Sequence, residues 1–181
     1  LLPVLIHYRD YLPQIPVSVW WLLLATGLAQ TFYNIALAAA YRNGDLSIAY
    51  PLARAMPVLM VSLFSLLHSG HEALSRLALG GMLLIIVGTF LLPMTRISHW
   101  HVSQYLNRGC FWALLAAIGT SAYSVIDSRA MQTLQQQLPL SSTEVSLVYI
   151  SLMSLSSALC FALTLMGWPG GRAQIRALAD T

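Results

Sequence analysis

Arg54 places a guanidinium inside an otherwise uncharged apolar run, about Leu46 to Leu67. Tyr50 precedes it by four residues and so shares its face of a helix, and Pro57, three residues on, removes a backbone donor. A charge at mid-bilayer costs roughly 3 kcal/mol on insertion scales unless it is paired or reaches a surface. An interrupted helix is tolerated where it lines a cavity. Two roles fit Arg54: contact with an anionic or polar substrate in a central cavity, or a structural Arg that reaches back to one membrane surface or is paired internally.

Polar groups in two other runs join this set. Gln30 and Asn34 are spaced by four, beside Thr31 and Tyr33; they suit hydrogen bonds to neighbouring helices or the lining of a polar path. Asp127, with Tyr123 one turn earlier, is the acid set furthest into an apolar run. It fits either a coupling-proton site or a carboxylate at the membrane interface. The histidines His7, His68, His71, His99 and His101 fall in loops or at helix ends, and no cysteine or acid cluster completes a metal set around them. Catalysis has less support still. Gly119-Thr120-Ser121-Ala122 has a serine but no later histidine to act as its base, and neither a phosphate loop nor zinc spacing is present. No enzyme activity and no cofactor are expected.

These residues sit on elements that composition identifies. Only 8% of the 181 residues are charged and 57% are hydrophobic, against about 25% charged in ordinary soluble domains; a soluble domain could not cover its surface with so few polar groups. Mean hydropathy is +0.70 and the pI is near 9.1. All nine basic residues are Arg, scattered rather than clustered, so nucleic acid is not an expected partner. Cys110 and Cys160 lie within apolar runs and read as small packing residues. The apolar stretch Leu1 to Ile6 lacks a basic leader and reads as the end of a helix continuing from a longer protein.

Five runs reach the roughly 20 apolar residues that cross a bilayer core: about 17–41, 46–67, 73–92, 109–131 and 145–168. Each is too long and too evenly apolar for a barrel strand. Asn43-Gly44-Asp45 and Ser69-Gly70-His71-Glu72 join the first three by tight antiparallel turns. Trp20, Trp21, Trp100, Trp112 and Trp168 all fall near run ends, where indoles favour the headgroup region. Small residues recur at spacings of four: Ala113, Ala117 and Ser121; Ala116, Thr120, Ser124 and Ser128; Ser154, Ala158 and Ala162. With Gly80, Gly81 and Gly88 these are expected to let helices approach closely. The fold expected is an all-α integral membrane protein of about five transmembrane helices.

The string from Ala39 to Pro57, Ala-Ala-Tyr-Arg-Asn-Gly-Asp-Leu-Ser-Ile-Ala-Tyr-Pro-Leu-Ala-Arg-Ala-Met-Pro, resembles the junction of the third and fourth helices in EamA-like transporters of the drug/metabolite transporter superfamily. Glu72-Ala73-Leu74-Ser75 and the Gly-rich stretch from Leu79 to Gly88 are similar to the opening of that family's fifth helix. The resemblance implies a ten-helix bundle of two inverted repeats, of which this chain would hold helices three to seven. Residues 1–98 would then be the C-terminal part of the first repeat, 99–108 the inter-repeat loop, and 109–181 the N-terminal part of the second. It also implies a secondary transporter in a bacterial inner membrane that exports a small metabolite or toxic compound by alternating access. Arg54, Tyr50 and Pro57 would face its cavity, with Gln30 and Asn34 as further candidates. The implied partners are the bilayer, the substrate, and the remaining helices or a second copy. The family topology puts Arg9, Arg76 and Arg129 inside and Arg42, Arg96, Arg108, Arg172 and Arg176 outside, counter to the positive-inside rule. The alternative is a non-transporting membrane scaffold or accessory subunit.

Overall fold

The structure, a computed structural model, describes residues 2–69, 75–91 and 107–167. Every regular element among them is helical. They are α1 (Leu2–His7), a 3-10 turn (Arg9–Gln14), α2 (Val17–Asn43), α3 (Leu46–Ser69), α4 (Arg76–Leu91), α5 (Arg108–Gln137) and α6 (Ser142–Gly167). In lipid no water is present to satisfy the backbone, and a helix pairs its own N–H and C=O groups. Four of the helices, α2, α3, α5 and α6, are long and apolar enough to cross a membrane. The 16 described residues of α4 span about 24 Å, short of a full hydrocarbon core, and 70–74 lie outside the described residues.

The chain divides into two compact units, Leu1–Thr31 with Val125–Thr181, and Phe32–Ser124. The first is built on side chains repeating every three or four residues. Ile15, Val19 and Leu23 lead into and along α2, Ala130, Leu134 and Leu138 follow the end of α5, and Val145, Val148, Tyr149 and Leu152 come from α6. The helical members of each set form one stripe, and α1 packs on α6. In the second unit the core is made of smaller residues, Ala40, Ala49, Leu52, Ala53, Cys110 and Ala113, and α3 packs on α4. Cys110 and Cys160 are both buried.

Two helix ends differ from the hydropathy reading. The apolar run ends near Met131, but α5 continues to Gln137. Glutamine is a good helix former, and the extension keeps Leu134 and Leu138 on the buried stripe. Asp127 therefore stands well inside a helix and not in its last turn. At the start of α6 the helix begins at Ser142 rather than near Val145, because Ser141 and Glu144 form a capping box. The Glu144 N–H donates to Ser141 Oγ at 3.4 Å, and the Ser141 N–H and Oγ donate to Glu144 Oε2 at 2.9 and 2.7 Å. Tyr8 adds a bond from its hydroxyl to Glu144 Oε1 at 3.3 Å. Desolvation, and then the neighbouring Glu144 carboxylate, holds the Tyr8 phenol above its ordinary value.

Close helix approach occurs at other glycines than those expected. A Cβ placed on Gly80, Gly81 or Gly88 would meet nothing within 4 Å among the described residues, and Ala158 and Ala162 of α6 are exposed. Backbones meet instead at Gly44 and Gly109, where a Cβ on Gly44 would lie 2.7 Å from the Gly109 Cα. Side chains close on Gly27, where a Cβ would meet Ser156 Oγ at 2.7 Å and Cys160 Sγ at 2.8 Å. Hydropathy and spacing mark a small residue without saying which face of its helix meets a neighbour. The expected stripe on α5 does face inward: Ala113, Ala116 and Ala117 are fully buried.

Candidate functional site

The second unit contains a cavity of about 410 Å³ lined by Tyr33, Ala53, Arg54, Pro57, Val58, Val61, Ser62, Thr120, Tyr123 and Ser124. This is within the size range of small-molecule sites. α2 supplies Tyr33, α3 supplies the run from Ala53 to Ser62, and α5 supplies Thr120, Tyr123 and Ser124.

Arg54 brings the one formal charge among the described lining residues. Its guanidinium carbon lies 5.5 Å from the centre of the Tyr50 ring, within the reach of a cation–π contact worth about 1 kcal/mol. Tyr50 is half exposed and is absent from the lining; it backs the guanidinium, a consequence of their spacing by one turn. Pro51 and Pro57 both lie inside α3. Having no N–H, Pro57 leaves the Ala53 carbonyl without its helical donor, and both residues line the cavity.

The rings of Tyr33 and Tyr123 meet edge to face with centroids 6.1 Å apart. Gly119 makes that meeting possible, since a Cβ there would sit 3.1 Å from the Tyr33 Cβ. The cavity's three aliphatic hydroxyls each donate back to their own helix. Ser62 donates to the Val58 carbonyl at 2.6 Å, Thr120 to Ala116 at 3.1 Å, and Ser124 to Thr120 at 2.8 Å. Their protons are thereby spent, while oxygen lone pairs stay available.

The other sequence candidates are not among the described lining residues. Asn34 is exposed. Gln30 belongs to the first unit, where its side-chain oxygen accepts a hydrogen bond from Ser157. Asp127, also in the first unit, accepts at Oδ1 from Thr26 Oγ1 and Tyr149 Oη, both at 2.6 Å. Thr26 is fully buried and Tyr149 nearly so, so a carboxylate within a spanning helix has two buried hydroxyl donors. In the same unit Ser156 Oγ donates across to the Leu23 carbonyl at 2.8 Å. Tyr33, Thr120 and Ser124 were not singled out as site residues from sequence. Tyr33 stood beside two polar residues, and the other two looked like packing positions, which in part they are. Among the described residues no cluster of three His, Cys, Asp or Glu is placed to hold a metal.

A family model described as the EamA-like transporter family matches residues 1–94. No curated protein matches the chain, and no solved structure does.

Proposed function

The chain belongs to the EamA-like transporter family, and from that premise we propose that it is a secondary transporter exporting a small metabolite or toxic compound by alternating access. It is a multi-pass integral membrane protein with a general transporter role; the direction, the mechanism and a bacterial inner-membrane location belong to the proposal. The observation that carries it is the cavity around Arg54. A charged, aromatic-lined space within apolar helices fits a solute-binding site better than structural packing, which would fill that volume. The division into a first-repeat part over 1–98 and a second-repeat part over 109–181 is part of the same reading, with the ten-helix assembly completed by further helices or a second copy.

The geometry supports the following roles. Arg54 contacts the solute, with Tyr50 holding the guanidinium from behind. Pro57 frees a carbonyl beside it. Asp127 is the candidate for the coupling proton, because its carboxylate is held by two hydroxyls that can rearrange as it gains or loses a proton. Gln30 and Asn34 support the reading less, since one is engaged by Ser157 and the other is exposed.

The test is solute flux in proteoliposomes containing the complete native polypeptide, with Arg54→Ala and Arg54→Lys beside the wild type. The proposal expects Arg54→Ala to abolish flux while insertion and thermal unfolding stay close to wild type. Normal flux in a destabilised Arg54→Ala protein would mean that Arg54 is structural. Absence of flux from the wild type across a broad solute panel would favour the scaffold alternative.

A further inference from the structure

We infer that the solute held in the Arg54 cavity is a compact organic anion carrying a flat apolar group, an inference that rests on the cavity being the transport site. The first ground is charge. The described lining holds one cation and no carboxylate, and a guanidinium in a spanning helix is costly until something neutralises it. The cation–π contact with Tyr50, 5.5 Å from guanidinium carbon to ring centre, uses the charge and none of the N–H donors, and the guanidinium's N–H edges match the paired oxygens of a carboxylate, sulfonate or phosphate.

The second ground is the placement of donors. The hydroxyls of Ser62, Thr120 and Ser124 are committed to backbone carbonyls, and beside the neutral phenols of Tyr33 and Tyr123 the charged donors of the described lining are those of Arg54. Charge therefore fixes where an anion docks, at the Arg54 guanidinium. The third ground is the shape of the rest. Tyr33 and Tyr123 meet edge to face, and Pro57, Val58 and Val61 add apolar surface. A flat apolar group finds ring edges and aliphatic carbon there, which favour stacking and edge contacts over hydration.

The experiment uses the complete native polypeptide in nanodiscs of zwitterionic lipid and three probes matched in pairs: benzenesulfonate, phenyltrimethylammonium and methanesulfonate. Binding is followed by saturation-transfer NMR, which registers weak ligands. Benzenesulfonate is expected to bind, methanesulfonate at least about tenfold more weakly, and phenyltrimethylammonium least. Arg54→Gln should weaken benzenesulfonate by about tenfold or more, the loss of a charge-assisted pair, and Arg54→Lys should restore part of it. Tyr33→Leu should weaken benzenesulfonate and leave methanesulfonate unchanged, with thermal unfolding confirming that each variant is folded. Preference for phenyltrimethylammonium, lost in Tyr33→Leu, would overturn the anion assignment while leaving the cavity as the site. Binding of benzenesulfonate that neither Arg54→Gln nor Tyr33→Leu alters would remove the site from this cavity altogether. Displacement of benzenesulfonate by phosphatidylglycerol added to the nanodisc, with no displacement by excess methanesulfonate, would assign the cavity to a lipid headgroup and overturn the solute reading.

Discussion

The phenol of Tyr149 donates to Asp127 Oδ1 at 2.6 Å, joining α6 to α5 through one carboxylate oxygen that Thr26 of α2 also reaches at the same distance. Three helices thus converge on a single acceptor. Removing the acceptor strands two buried hydroxyls, at about 1–3 kcal/mol each. Asp127→Leu is expected to lower the unfolding temperature in detergent markedly. Asp127→Asn keeps a carbonyl oxygen at that place and should cost less. If Asp127 carries the coupling proton, Asp127→Asn retains solute exchange but loses response to an imposed pH gradient, and a gradient response that survives would remove the assignment.

The glycines separate into two classes that a pair of alanine substitutions distinguishes. Gly109→Ala forces a methyl against the Gly44 backbone, and overpacking of that kind costs about 1–3 kcal/mol. Gly80→Ala meets nothing among the described residues and should gain up to about 1 kcal/mol from helix propensity. Thermal unfolding of the two variants is expected to move in opposite directions.

The start of α6 rests on its cap. Ser141→Ala removes the hydroxyl that accepts from the Glu144 N–H and donates to its carboxylate. The expected loss is about 1 kcal/mol, read as a lowered unfolding temperature. Hydrogen exchange should quicken at the amides of the first turn of α6 and stay unchanged in the middle of that helix.

Pro57 separates stability from transport. Pro57→Ala supplies the N–H that the Ala53 carbonyl lacks, which should hold or raise stability, since proline in a helix interior is unfavourable by about 3 kcal/mol. If the freed carbonyl serves the cavity, flux falls while the unfolding temperature does not. Unchanged flux would show that the carbonyl takes no part.

Much of the fold was legible because hydropathy over some twenty residues is a property of the chain and of the bilayer alone. Arg54 and Pro57 were legible for the same reason, since a charge and a helix breaker contradict their surroundings. Thr120 and Ser124 were not, because a small polar residue at a spacing of four suits packing and lining equally well. Nor was the continuation of α5 through Gln132–Gln137, where the apolar signal has ended and Leu134 alone continues the stripe. The glycine contacts were hidden for a further reason: closeness of backbones depends on a partner helix, and a sequence window holds only one side of it.

The meeting of Gly44 and Gly109 has a mechanical meaning. It is made of backbone on both sides, so its closeness depends on no side-chain rotamer or protonation state, and a methyl on either glycine would push the α2–α3 turn away from the start of α5. Counting about 1.5 Å per residue, Arg54 lies about 12 Å along α3 from its start at Leu46, and Thr120 and Tyr123 lie about 17–21 Å along α5 from Gly109. A small change of angle at this close approach would therefore become a larger displacement of the cavity lining at Arg54, Thr120 and Tyr123.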